Sequence, residues 1–543
     1  CEAYVDEPAE PVDAGPDAPD ASGPLQDAAA DATDGGKALP IGGADFQEGC
    51  SVGFGGPSTT AALLVSVCLA GMVIRRRKGL ALAATLSLMG CSSAETGPSV
   101  GPPRDAGLDA SDTSLPTFDA GPIIDNDGGA CMTTFTFRAP AGHVVKSVSV
   151  AGEWNQFMAP GTSMTPDQNG VYSGEVALAP GWYGYKLIVD GNWQLDPAAK
   201  TRKYVTAVEN SGVTVKDCYS PTLSLVDQSN SRMAPMQGHY MATVAFHRGQ
   251  GGTQLDASSV SVAVKNDFAT LMRTANVDEA AETVAINLTG LSDGKYTLFV
   301  AAKDRRGRGA PPLRLVFWIE SSTFEWRDAL IYMAMTDRFR NGDVTNDVQP
   351  VKNVDLRANF QNGDLEGVRQ VIASGALDQL GVRALWLTPF QTNPQAGYPS
   401  DDGVHDVTGY HGYWPVKARE VEPRLGGDKA LEAMVKEAHA HGIRVLMDFV
   451  VNHVHENHEY FKAHPEWFRT GCVCGTNNCD WTTHRLDCLF APYMPDVNWT
   501  VADVSRQFTD DAVYWIDRFD LDGLRVDAVK HVEDAAIYNL SAR

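Results

Sequence analysis

Gly523-Leu524-Arg525-Val526-Asp527-Ala528-Val529-Lys530-His531 begins as a short apolar strand and ends on a carboxylate. Arg525 and Asp527 are two residues apart, so in a strand both project to one side. A guanidinium there would keep the carboxylate ionised and oriented. The same form recurs upstream. Residues 329–335 end in Thr336-Asp337-Arg338-Phe339, Val382–Leu387 ends in Thr388-Pro389, and residues 443–447 end in Asp448. Amphipathic stretches at 365–380 and 428–441 have helical spacing and fall between these strands. The alternation predicts a βα architecture with parallel strands over 321–543. Each strand delivers polar side chains at its C-terminal end, where barrel enzymes build their active sites.

Before residue 321 the pattern changes. Short alternating runs at 134–137, 147–151, 170–176 and 184–189 are separated by turn residues and predict a β-sandwich over 131–217. Runs at 241–246, 260–264, 283–288, 296–301 and 313–319 predict a second, Ig-like sandwich over 218–320. No chemistry stands out in that second module, so it reads as a spacer.

The chain has 543 residues, enough for several domains, and a net charge of −24. Residues 1–49 carry twelve acids and one Lys, and residues 92–130 carry seven acids and one Arg, so −17 of that charge lies in two Pro/Ala/Gly/Asp-rich stretches. Such stretches do not bury enough surface to fold. A nucleic-acid partner is not expected, because no basic footprint is present. Met72–Lys78 supplies a basic n-region, 79–87 a short apolar h-region, and Leu88-Met89-Gly90-Cys91 follows. This order resembles bacterial lipoprotein signals, which implies a lipid anchor at Cys91 and an exported, outer-membrane or cell-surface location. The expected layout is 1–71 as an acidic segment and apolar tail from a neighbouring reading frame, 72–91 as the signal, and 92–130 as a flexible tether.

Cys131 and Cys218 bracket the first sandwich, and Cys472, Cys474, Cys479 and Cys488 crowd one loop. Export favours disulfides, with the pairing open. The C-x-C-x4-C-x8-C spacing leaves zinc as the alternative, although paired C-x2-C knuckles are missing.

Asp448-Phe449-Val450-Val451-Asn452-His453 and the stretch from Gly523 to His531 resemble two conserved regions of glycoside hydrolase family 13, the α-amylase family. Tyr410-His411-Gly412-Tyr413-Trp414 and Met494-Pro495-Asp496-Val497-Asn498 add to the likeness, in order and spacing. Gly152–Phe157, Gly181–Lys186 and Val189–Trp193 resemble carbohydrate-binding module family 48. The expected fold is therefore two β-sandwich (Ig-like) modules followed by the first half of a (β/α)8 TIM barrel, with an excursion over 454–505 after strand three. The resemblance implies an α-glucan-active enzyme cleaving α-1,4 or α-1,6 bonds by retaining double displacement. A branching or transglycosylating enzyme, or a non-catalytic surface glucan-binding protein, is the alternative. Starch, glycogen or malto-oligosaccharides would be the partner, and oligomeric state stays open.

Residue by residue, Asp527 matches the nucleophile and Arg525 its partner. Tyr413, His411 and His453 match sugar-binding positions, and Asp448 supports the pocket from behind. Lys530 and His531 match the side of the departing glucan. In the family 48-like module, Lys186 and Trp193 match glucan-binding positions. Asn452, Asp496 and the carbonyl of His531 match ligands of a calcium ion, with Asp480 or Asp487 as a further one. Asn341, Asp343, Asn346, Asp347 and Asp364 resemble a second calcium loop. The family's general-acid Glu and third carboxylate follow strands five and seven, so the sequence implies a fragment that is inactive alone.

Overall fold

The computed structural model describes residues 129–543 apart from Ala141, Asp401 and Asn477. The expected neighbouring-frame segment, signal and Cys91 anchor lie outside the described residues, as does the tether up to residue 128. No helix among the described residues is long and apolar enough to cross a membrane.

Multiple β-sheet units precede the strand–helix part. The first builds eight strands between Cys131 and Val215, more than the four runs anticipated. Thr162–Pro166 pairs with Val148–Gly152 through its first half and with Val171–Leu178 through its second, so it passes from one layer to the other. Phe135, Phe137, Val150, Met164, Tyr185 and Leu187 fill the space between the layers. A disulfide from Cys131 to Cys218 closes the module at its two ends, its cysteines separated by 87 positions in the chain. A loop of that length constrains the unfolded chain strongly, so C131A/C218A should lose about 2–4 kcal/mol of stability in denaturant unfolding.

The second unit is two four-stranded antiparallel sheets. Tyr240, Val244 and Ile286 from one sheet meet Val264, Leu298 and Phe317 from the other in a single core. Tyr296, Phe317 and Tyr240 stack in a row, with centroids 5.1 and 3.6 Å apart.

Four parallel strands follow, in sheet order β1 (Leu330–Ala334), β2 (Val382–Leu387), β3 (Arg444–Val450) and β4 (Gly523–Asp527). The helices between them are α1 (Leu365–Ala373), α2 (Gly427–Ala440) and α3 (Ala502–Phe519), and α4 (Asp534–Ala542) follows β4. Leu365, Val368 and Ile372 of α1 recur at helical spacing and bury against the sheet, as do Leu431, Met434, Val435 and Ala438 of α2. The helix anticipated over 365–380 is not continuous. It stops at Ala373, Gly375 takes φ +74°, and a separate turn covers Ala376–Gln379. Only glycine adopts that left-handed conformation at little cost. Asp448 and Asp527 stand at or near the C-terminal ends of adjacent strands, in a register that sets Asp448 opposite Arg525.

Candidate active site

The centre of the site is one guanidinium between two carboxylates. Arg525 Nη1 donates to Asp527 Oδ1 at 2.6 Å and to both Asp448 oxygens at 2.9 and 3.0 Å. Trp386 Nε1, from β2, and the Tyr413 hydroxyl also donate to Asp448 Oδ2, at 2.9 and 2.7 Å. Asp448 is fully buried. Burial pushes its carboxyl up, and the bonds from Tyr413, Arg525 and Trp386 only partly offset this. Asp527 differs. Its side chain keeps 18% of its exposure, and no described residue donates to its Oδ2. Asp448 is thus a buried brace, whereas Asp527 presents an oriented oxygen to whatever fills the cleft.

The other pocket residues are gathered around Tyr413. His411 Nδ1 accepts from the Tyr413 amide at 3.0 Å, and the His453 ring is 3.0 Å from the Tyr413 carbonyl through Nε2. Burial pushes His411 down to about 4 and lowers His453 as well, so both imidazoles are neutral near pH 7. Burial and the bond to Asp448 raise the Tyr413 phenol far above its usual range. They therefore act as hydrogen-bonding and packing groups, and the pocket's charge is the Arg525–carboxylate set.

Lys530 and His531 lie in the turn after β4, and Lys530 is exposed. The Lys530 carbonyl accepts from Arg485 Nη1 at 2.9 Å, and His531 Nδ1 is 3.1 Å from the Arg485 carbonyl. The four crowded cysteines form two disulfides, Cys472–Cys479 and Cys474–Cys488. That removes the zinc alternative. Cys472, Cys479 and His484 do cluster, but two sulfurs bonded to each other offer no thiolate.

The oxygen set around Asp496 suits a hard cation. Phe468–Arg469 pairs with Asp496–Val497, and His453 bridges to Asp496. Asn452 Oδ1 is buried without a hydrogen-bond partner, as is Glu533 Oε2. Burial pushes the Asp496 carboxyl up to about 8, although Arg469 donates to it at 2.9 Å. Orphaned buried oxygens beside a desolvated carboxyl fit an oxygen-seeking ion such as calcium. Of the two acids left open by the sequence, Asp487 is the one whose charge acts on Asp496. Asp480 accepts from the amides of Thr482 and Thr483 in an exposed turn. Arg469 also donates to Asn498 and Glu533, a bridging role that the sequence reading missed.

The second anticipated calcium loop is closed on itself. Asp364 accepts from the amides of Gly342, Asp343 and Gly367 and caps α1. Asp343 accepts from Thr345, and Asn341 donates to Asp347 at 2.8 Å. The Asn346 amide also lies beside Asp364, 3.4 Å away.

In the first β module, Trp193 pairs directly opposite Ile188, so Trp193 and Lys186 share one face of the sheet. Trp193 is 42% exposed. Lys203 lies over the Trp182 ring at 5.2 Å and bonds Glu153 at 2.7 Å, on the same face.

Residues 333–540 match the family model described as the α-amylase catalytic domain, and residues 133–220 match the glycogen recognition site of AMP-activated protein kinase. The periplasmic α-amylase of Escherichia coli is 37% identical over 139 residues, covering 24% of this chain and 20% of that protein. A cyclomaltodextrin glucanotransferase of Bacillus sp. (strain 1-1) is 29% identical over 228 residues, covering 38% of this chain and 31% of that protein. The chain thus spans a third or less of the length of these curated relatives. Among solved structures, an α-amylase from Geobacillus thermoleovorans complexed with acarbose is 31% identical, covering 41% of this chain and 46% of that one with a TM-score of 0.33. Residues 333–540 therefore belong to the α-amylase family of catalytic domains, glycoside hydrolase family 13, and are preceded by a glycogen-recognition-type module.

Proposed function

We infer that the protein is an exported enzyme that cleaves α-1,4 glucosidic bonds of starch- or glycogen-like glucans, with α-1,6 bonds as the alternative linkage. The observation that carries this reading is Arg525 held between Asp448 and Asp527 at the ends of adjacent strands. Asp527 attacks the anomeric carbon, and the bond to the leaving glucan oxygen breaks as the covalent glycosyl-enzyme forms. A second carboxyl group, roughly 5–5.5 Å away in retaining enzymes, protonates that oxygen and then deprotonates the incoming water. If a sugar hydroxyl replaces water, the same intermediate gives transfer, and the glucanotransferase relatives make this the second reading.

The four parallel strands are read as the first half of an eight-stranded barrel, and the preceding module as Ig-like. The edge strand β1 supports the barrel reading, because Leu330, Ile331 and Met333 remain 51%, 45% and 39% exposed there. Lys530 and His531 are assigned to the departing side of the glucan, and Lys186 and Trp193 to glucan capture by the module. Calcium held by Asn452, Asp496 and Asp487 would pin the excursion to the sheet. Three disulfides fit an oxidising compartment and so support export; the anchor at Cys91 is proposed from the signal-like sequence alone.

The test is the natural full-length enzyme with maltoheptaose, followed by proton NMR during the first turnovers. New reducing ends should appear as the α-anomer. Appearance of the β-anomer first would overturn the double-displacement mechanism. Binding without cleavage would identify a glucan-binding protein instead.

A further inference from the structure

Trp481 is a large ring that the fold holds out in water. It lies in the loop closed by the Cys474–Cys488 disulfide, two residues after Cys479, which a second disulfide ties to Cys472. The loop is tied again by the Cys474 amide on the Leu489 carbonyl and the Leu489 amide on the Cys472 carbonyl, both at 2.9 Å. Gly475, at φ +78°, lies under the indole, and a Cβ there would come within 2.7 Å of Trp481 Nε1. The ring also packs beside Phe490 and His531, with centroids 5.6 and 5.5 Å away. Despite these neighbours Trp481 remains 46% exposed. A tryptophan kept exposed by two cross-links and a glycine has been positioned rather than left over.

Its position is relative to the reacting carboxylate. Arg485, from the same loop, bonds the turn that carries Lys530 and His531, both as donor and through its carbonyl. That turn begins directly after Asp527. Phe490 continues the row inward, 5.3 Å from the His453 ring, and His453 feels the charge of Asp527. A row of rings therefore runs from solvent at Trp481 to the pocket at His453.

We propose that Trp481 is a specificity-determining platform, stacking its indole on the apolar face of a glucosyl unit in the departing part of the chain. Aromatic faces suit this task because they give a wide, rigid, apolar contact with a polar edge. The inference rests on the proposed glucan cleavage and deepens it. The disulfides fix the platform before substrate arrives, so little ordering entropy is lost on binding.

The experiment compares two substrates on the natural full-length enzyme and its W481A and W481F variants. Maltoheptaose places sugar units on the departing side. With α-maltosyl fluoride the bond to Asp527 forms as fluoride leaves, so no departing sugar reaches Trp481. W481A should lower kcat/KM for maltoheptaose at least about tenfold more than for α-maltosyl fluoride, and W481F should restore most of the difference. Equal losses on both substrates would overturn the proposal, because Trp481 would then act on the pocket itself. No loss on maltoheptaose would overturn it as well. If the unmodified enzyme turned over neither substrate, the proposed glucan cleavage would fail first, and W481A would have no bearing on that result.

Discussion

Asp527→Asn is expected to abolish glucan cleavage by the full-length enzyme, with kcat reduced at least about 10⁴-fold, while the fold and glucan binding persist. An amide oxygen can still accept the 2.6 Å bond from Arg525 that Asp527 Oδ1 accepts now. An amide is a poor nucleophile, however, so the glycosyl-enzyme does not form. Asp448→Asn makes the contrast. Asp448 is fully buried and takes donors from Arg525, Trp386 and Tyr413. An amide nitrogen there would face donors on most sides, so D448N should lower the melting temperature as well as activity. Kinetics, maltoheptaose calorimetry and thermal unfolding on both variants separate the roles. A D527N enzyme with substantial kcat would remove Asp527 as the nucleophile. A sharper form uses Asp527→Ala with α-maltosyl fluoride and azide. Azide occupying the vacated space attacks the anomeric carbon as fluoride leaves, and β-maltosyl azide should accumulate. No such product should form with Asp527 intact.

What the sequence disclosed follows how local each signal is. Asp527, Arg525 and Asp448 sit in strand-end motifs a few residues long, so their positions were legible without the fold. Arg525's contact with Asp448 was not, because it depends on the register of β3 against β4. Trp386 and Arg469 escaped notice for the same reason, their partners being 62 and 27 residues away. In the first module, Val208–Val215 reads Val-Glu-Asn-Ser-Gly-Val-Thr-Val and Thr201–Val205 reads Thr-Arg-Lys-Tyr-Val. Neither has a clear apolar alternation, so pairing in the sheet, not propensity, makes them strands. Thr201–Val205 also meets α4, where the Arg202 amide donates to Asn539 Oδ1 at 2.8 Å and Asn539 Nδ2 donates to the Arg202 carbonyl at 2.8 Å. That contact joins residues 337 apart in the chain. The cysteine pairings likewise needed the fold, since spacing alone left the partners open.

The second β module was read as a spacer, and Lys295→Met tests whether it is more than that. Lys295 reaches from this module into the end of α3, where it donates to the carbonyls of Asp520 and Leu521 at 2.7 and 3.0 Å. Those carbonyls lie where a helix leaves orphaned acceptors and negative partial charge. The ammonium also pairs with the carboxylates of Asp520 at 3.3 Å and Asp522 at 3.0 Å. All three side chains are 5% exposed or less. Asp522 further meets His439 and the amide of Val445, and Lys265 of the same module reaches the Asp517 carbonyl. Removing one member of a buried ion set while its partners stay costs about 3–5 kcal/mol, so K295M should unfold at markedly lower denaturant. The pH dependence has a definite sign. Burial pushes Asp522 up, but Lys295, His439 and the Val445 amide more than reverse this, so its folded value lies well below the usual range. In the unmodified protein that stabilisation is fully present above about pH 4 and is lost as pH falls through the folded value. In K295M the desolvated Asp522 carboxyl loses that cation and its folded value rises, so acid favours the folded state more than it does in the parent. The stability gap should therefore be widest near pH 7 and narrow toward pH 4.5. A gap below about 1 kcal/mol at pH 7, the size of a surface pair, would return the module to a spacer. A wide, acid-sensitive gap would make it part of the foundation of β4, five residues before the nucleophile that the strand delivers.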